Sequence, residues 1–141
     1  MITSGIYKIR NVLHPGMYAN MASATNKLMA FVEGDTFEVD VKDHLKGLVT
    51  IKDKYIGELS YVVINDKTNE VEGSTEPQVL QLSTQSGSGD EYLIHVMDVD
   101  NVWILGKALN KDYTYAQITT APAPPPTDED YKKKYWKFEK Q

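Results

Sequence analysis

Ile6-Tyr7-Lys8-Ile9-Arg10, Leu48-Val49-Thr50-Ile51-Lys52 and Glu91-Tyr92-Leu93-Ile94-His95 are three short alternating runs that recur at a period of about 42 residues. Each is answered further along by a second run: Phe37-Glu38-Val39, Leu80-Gln81-Leu82 and Trp136-Lys137-Phe138. With Tyr7, Val49 and Tyr92 set in register, the closing residues Phe37, Leu80 and Trp136 fall into approximate register too. Apolar and polar side chains alternate with period two, the spacing of a strand that buries one face. The third copy is longer than the others, and nearly all its extra length is the proline-rich stretch from Ala121 to Asp130.

Outward from these runs, turn signals punctuate the chain at His14-Pro15-Gly16, Glu33-Gly34-Asp35, Asn65-Asp66-Lys67, Ser86-Gly87-Ser88-Gly89-Asp90 and Asn110-Lys111-Asp112. Between them the pattern predicts twelve strands in three groups of four. The first group is 5–12, 18–22, 28–33 and 36–42. The second is 48–53, 60–65, 70–74 and 78–84. The third is 92–98, 102–107, 114–120 and 135–139. Three four-stranded units with matching first and last strands predict an all-β chain, a β-trefoil: a threefold pseudosymmetric six-stranded barrel capped by three hairpins. Closing the barrel removes edges that would otherwise pair with other chains. The chain is then a single domain, 1–141, with repeats at about 5–43, 47–85 and 90–141. The expected barrel layers are Tyr7, Ile9, Phe37, Val39, Val49, Ile51, Leu80, Leu82, Tyr92 or Leu93, Ile94, Trp136 and Phe138.

A chain of 141 residues can bury a hydrophobic core without staples. The absence of cysteine excludes disulfides, thiolate metal sites and a cysteine nucleophile. A formal net charge of −5 argues against a nucleic-acid partner, which needs clustered Lys and Arg. The basic run Lys132-Lys133-Lys134 follows Asp128-Glu129-Asp130 directly and reads as a self-neutralising turn. No segment has the apolar length of a membrane span. Met1-Ile2-Thr3-Ser4 leads into the first strand without a basic, apolar leader, so the expectation is a cytoplasmic protein.

An active site is hard to assemble from these residues. His14, His44 and His95 fall in different repeats without metal-ligand spacing, so neither a metal nor a cofactor is expected. Asp98/Asp100 and Asp128/Asp130 lie in turns, where Asp is favoured for turn chemistry. No nucleophile elbow, phosphate loop or dinucleotide fingerprint occurs. A binding protein rather than an enzyme is expected, working through loops on a rigid barrel. Two loops stand out: Ser23-Ala24-Thr25-Asn26-Lys27-Leu28, and Ala121 to Tyr131, whose prolines favour a stiff extended projection.

Gly5-Ile6-Tyr7-Lys8-Ile9-Arg10-Asn11-Val12 at the start and Tyr135-Trp136-Lys137-Phe138-Glu139 at the end, with the chain length and the lack of cysteine, carry a family resemblance. The chain resembles the β-trefoil protease inhibitors of mushroom fruiting bodies, the serine protease inhibitors of the cospin and cnispin type, and more distantly the mycocypins. The resemblance implies a monomer that inhibits a trypsin-like serine protease by presenting one basic residue on an exposed loop. Lys27 takes that role as the P1 candidate, with Thr25, Asn26, Leu28 and Met29 lining the protease cleft and Asn26 holding the loop extended. Asp130, Lys132 and Lys133 form the second candidate loop.

Two other functions fit the same outline. A carbohydrate-binding trefoil would need an aromatic platform beside polar groups, and Trp103 with Asp100 or Asn101 is the one candidate of that kind. Inhibition of a papain-like cysteine protease would use His14-Pro15-Gly16 together with Gly34-Asp35, and inhibition of a legumain-like one an exposed asparagine.

Overall fold

A computed structural model of the chain describes residues 2–84, 89–112 and 114–141. Twelve strands run through the described residues: β1 (Gly5–Asn11), β2 (Tyr18–Ala22), β3 (Lys27–Phe31), β4 (Phe37–Asp43), β5 (Leu48–Asp53), β6 (Tyr61–Asn65), β7 (Glu70–Ser74), β8 (Leu80–Thr84), β9 (Tyr92–His95), β10 (Val102–Ala108), β11 (Tyr115–Ala121) and β12 (Trp136–Lys140). A 3-10 helix, Tyr131–Lys134, precedes the last strand. The turn expected at Ser86-Gly87-Ser88 lies outside the described residues.

The first and last strands of each repeat close a ring. β1 pairs with β4, β4 with β5, β5 with β8, β8 with β9, β9 with β12, and β12 with β1, all antiparallel. The middle strands form hairpins β2–β3, β6–β7 and β10–β11, and these join one another through β3–β7, β11–β3 and β11–β7. The cap is therefore a closed triangle as well, and neither layer leaves a long free edge.

Alternation of side chains decides what the ring encloses. Phe37, Leu80 and Trp136, the closing residue of each repeat, are fully buried, as are Ile9, Val49, Ile51 and Ile94. Each such side chain contributes about 1.5–3 kcal/mol of burial. Of the two candidates in β9, Tyr92 points inward and Leu93 is only partly covered. Phe138 sits at the barrel rim, meeting the rings of Tyr7 and Tyr92 edge-on at 6.0 and 5.7 Å.

Two expected elements differ. β9 stops at His95 because Asp98 adopts a left-handed φ of 64° and Val99 N–H turns back to the Val96 carbonyl. The proline-rich segment is turned back and anchored instead of running extended, although 125–130 remain exposed. Asp128 N–H bonds the Pro125 carbonyl, the 3-10 helix follows, and Lys134 Nζ donates to the Pro124 carbonyl at 2.9 Å. The segment lies outside the strand ladder, so its carbonyls need other donors, and buried Lys134 supplies one.

Candidate functional site

The Ser23–Leu28 loop is built differently from a substrate-like loop. Asn26 has a left-handed φ of 59°, so it reverses the chain instead of holding it extended. Its backbone and side chain are both spent on β7: Gly73 N–H donates to the Asn26 carbonyl at 3.1 Å, and Asn26 Nδ2 donates to the Gly73 carbonyl at 2.8 Å. A Cβ on Gly73 would fall on the Leu59 carbonyl and the Asn26 side chain, so this docking needs glycine there.

Lys27 is accordingly not at a loop tip. It is the first residue of β3, opposite Glu72 in the ladder. Its ammonium lies 2.9 Å from Glu72 and 3.4 Å from Glu70, and the hydrogen bond to Glu72 raises its pKa. Thr25 is exposed, but Leu28 is fully buried in the core and Met29 is buried too, so neither can line a protease cleft. In the second loop, Lys132 is exposed, Lys133 pairs with Asp130 at 3.5 Å, and Lys134 is only 3% exposed. Burial lowers the Lys134 pKa, and its ammonium faces the Tyr131 and Tyr135 rings. All three lysines belong to a 3-10 helix, not to an extended reactive segment. Glycine in the Gly34-Asp35 turn serves packing, since a Cβ at Gly34 would meet the Tyr18 side chain.

The threefold register exposes a further set of positions. Two residues before each closing side chain stand Asp35, Gln78 and Lys134. Asp35 Oδ2 accepts the Met21 N–H at 2.8 Å, and Gln78 Oε1 accepts the Ile64 N–H at 2.6 Å, each tying its own hairpin down. Opposite the closing side chains stand Asn11, facing Trp136, and Asp53, facing Phe37; the β8–β9 register brings Val96 to the same place beside Leu80. Asn11 Oδ1 accepts the N–H groups of Leu13 and His14, and Asp53 Oδ1 accepts those of Tyr55 and Ile56. Asn11 satisfies its other atom too, donating Nδ2 to the Lys133 carbonyl. Asp53 Oδ2 is buried without an N–H donor, and its neighbour is the Asp35 carboxyl.

Asp35 and Asp53 share a cavity of about 330 Å³, lined also by Met21, Ser23, Tyr55 and Ile56. Burial, followed by the hydrogen bond with Asp53, pushes the Asp35 carboxyl up to about 7. A proton on Asp35 is the one internal means of satisfying Asp53, because among the described residues no Lys or Arg is ion-paired with either. In sequence, Gly34-Asp35 reads as a turn and as part of the candidate papain-blocking pair, and Asp53 as a strand end. Only the register of the three closing residues would have brought the two carboxylates together.

The outer face of the cap carries a different surface. Tyr18, Phe31 and Tyr115 are register partners across β2, β3 and β11, and Asn20, Met29 and Gln117 form the next row. The Phe31 and Tyr115 rings meet edge-on at 5.9 Å. Asn20 Nδ2 donates to the Glu33 carbonyl at 3.0 Å. A hydrogen bond from its hydroxyl to Glu139 raises the Tyr18 pKa, and Glu139 pairs with Arg10 at 3.1 Å. Trp103, the platform expected from sequence, is fully buried and meets Trp136 edge-on at 6.0 Å, so it cannot serve.

Solved structures show where this architecture is already found. The ricin B-like lectin of Macrolepiota procera, solved in complex with lactose, is similar with a TM-score of 0.76 at 12% identity, over 100% of this chain and 99% of the lectin. The BEL β-trefoil is similar with a TM-score of 0.70 at 12% identity, over 100% of this chain and 96% of that one. The chain is a β-trefoil. A mosquitocidal holotoxin contains the same fold within a longer chain, with a TM-score of 0.71 at 16% identity over 100% of this chain and 18% of the toxin. No protein-family model and no curated protein matches the sequence. The likeness to fungal trefoils therefore holds at the level of the fold, and the similar structures named here include no protease inhibitor.

Proposed function

We propose that this trefoil is a carbohydrate-binding protein and that the sugar lies on the outer face of β2, β3 and β11. The observation that carries the reading is the aromatic row Tyr18–Phe31–Tyr115 set directly beside the amide row Asn20 and Gln117. Sugar rings offer apolar C–H faces to aromatic side chains and hydroxyls to neighbouring amides, so stacking and directional hydrogen bonds are needed a few ångströms apart. Register in a three-stranded sheet provides that spacing without any loop rearrangement. The Gln117 side chain makes no hydrogen bond among the described residues and is half-buried, which leaves both of its polar atoms for a ligand. The lactose complex of the Macrolepiota procera lectin supports galactosides as the first ligands to try.

The test is titration with lactose and a glycan array, on the wild type and on Phe31→Ala and Gln117→Ala. Saturable binding is expected, weakened at least about tenfold in each variant, equivalent to loss of one good stacking or hydrogen-bonding contact. A wild-type protein that binds no glycan, or binding untouched by both substitutions, removes the reading.

A further inference from the structure

The outer wall of the barrel in the third repeat carries an inference independent of the sugar face. We propose that Ser83 and His95 form a nucleophile–base pair that takes the acyl group of a small, uncharged aryl ester and then gives it up to water.

Both side chains point out of the barrel, because their neighbours Leu82 and Ile94 point in. Ser83 Oγ lies 2.7 Å from His95 Nε2, and His95 Nδ1 lies 2.8 Å from the Val96 carbonyl. A carbonyl only accepts, so Nδ1 carries a proton. In the neutral ring Nε2 is then the acceptor, and the Ser83 hydroxyl donates to it. This is how a hydroxyl is activated: a base within hydrogen-bond reach, its ring held by a third group. That third group is itself fixed, since the Val96 carbonyl also accepts the Val99 N–H at 3.1 Å in the turn that Asp98 reverses.

The other repeats show that the barrel does not need this pair. Ser83 and His95 stand on a diagonal of the β8–β9 ladder; the same diagonal holds Asp40 and Lys52 between β4 and β5, and Glu139 and Arg10 between β12 and β1. Two repeats thus place an acid and a fixed cation where the third places a hydroxyl and an imidazole. The residue facing the base changes as well. Arg10 faces Tyr18, and Lys52 faces Tyr61 with its ammonium 5.5 Å from the ring, whereas His95 faces Val102. Beside the smaller side chain a cavity of about 320 Å³ opens over the pair, against about 190 Å³ beside Lys52 and Tyr61. Leu93 and Val102 give it an apolar side and Asp98 and Asp100 an acidic one, which suits an uncharged acyl chain and disfavours an anionic one. Gln81, which also lines it, donates Nε2 to the Lys46 carbonyl instead of offering it to an oxyanion, so the ester must carry a good leaving group. In the first step Ser83 Oγ bonds to the acyl carbon and its proton passes to His95 Nε2. The bond from that carbon to the aryl oxygen breaks, and the aryloxide takes the proton and leaves as a phenol. In the second step a water oxygen bonds to the acyl carbon as Nε2 takes a water proton. The bond to Ser83 Oγ then breaks, Ser83 recovers the proton, and a carboxylic acid departs.

The experiment treats the protein at about pH 8, where free imidazole is a neutral base, with p-nitrophenyl acetate and separately with a fluorophosphonate, and locates the adducts by peptide mass spectrometry. The proteins are the wild type, Ser83→Ala, His95→Phe and, as a control away from the pair, Ser74→Ala, whose hydroxyl serves the Glu76 N–H. Both reagents are expected to modify Ser83 in the wild type and the control, a reading that needs no variant at the site. Release of p-nitrophenol above the buffer rate is expected to fall at least about tenfold in Ser83→Ala and in His95→Phe. Because the chain has no cysteine, Ser83→Cys gives a second reading: iodoacetamide should alkylate it at least about tenfold faster than it alkylates Ser83→Cys combined with His95→Phe. Adducts confined to lysines and other histidines, ester hydrolysis kept by Ser83→Ala, or a thiol at position 83 indifferent to His95 overturns the proposal.

Discussion

Two pairs of carboxylates in this molecule are completed in opposite ways. Glu70 and Glu72 lie two residues apart on β7, so their side chains share a face, and Lys27 reaches across from β3 to sit between them. Asp35 and Asp53 come from the turn before β4 and from β5, and among the described residues no basic side chain is ion-paired with either. The first pair is about a quarter exposed, with side-chain exposures of 28% and 24%. Water already solvates it, and its lysine adds little. In the second pair Asp53 is shut away from solvent, so whatever relieves the charge matters far more. Burial, not the number of charges, decides which pair is consequential.

The largest effect is expected where the cap pair is held in place. Gly73→Ala puts a methyl group against the Leu59 carbonyl and Asn26, breaking the docking that positions Lys27. Overpacking of this kind costs about 2–3 kcal/mol. Urea unfolding should show a lower midpoint with an unchanged slope. An unchanged midpoint would mean that the Asn26–Gly73 contact does not frame the cap.

Next comes the cavity pair, where the change has the opposite sign. Asp53→Asn keeps the Oδ1 acceptor for Tyr55 and Ile56 and removes the like charge, as Asn11 does in its own repeat. At about pH 8 it should stabilise the protein by roughly 1 kcal/mol, raising the melting temperature by about 3–4 °C. A destabilised variant at that pH would show that the acid is needed by the fold.

The same pair sets a pH dependence. Asp35 has a folded-state pKa of about 7, above its ordinary value of 3.8. Between those values the folded state holds more protons than the unfolded chain, so this group makes stability fall as pH rises from about 4 to about 7. Below that window both states are protonated, and above it both are ionised, so the contribution is flat. Comparing wild type with Asp35→Asn across the window isolates the group. The advantage of the variant should grow steadily from pH 4 to pH 7.

The repeat was readable because closing the barrel demands the same inward residue three times. Phe37, Leu80 and Trp136 are fully buried, and alternation around them gave nearly every strand. Lys27 was misplaced for a physical reason. Small polar residues before a lysine read as an exposed loop, whereas Asn26 in a left-handed conformation begins the return strand one residue earlier. Trp103 was misread because an aromatic beside Asp100 and Asn101 says nothing about which face it takes. The proline-rich stretch was expected to project because local stiffness is visible in sequence and the long-range anchor, Lys134 on the Pro124 carbonyl, is not. The Asp35–Asp53 pair depends on tertiary register between β4 and β5, so neither residue announces it alone.

The smallest effect is expected from Lys27 itself. Its ammonium is about one-third exposed and tied to two part-exposed carboxylates, so Lys27→Met should shift the melting temperature by no more than about 2 °C, and less at high salt. The same residue answers the protease question. To enter an acidic pocket, the ammonium would have to leave Glu70 and Glu72, and the backbone of β3 would have to leave its ladder with β2 and β7. An inhibitor's anchor works by being preorganised for the enzyme, and this one is preorganised for the cap. Trypsin assayed with micromolar protein should therefore keep its full activity. Inhibition that disappears in Lys27→Met would show that these ion pairs open on contact with a protease, and the cap pair would then be the working site of the two.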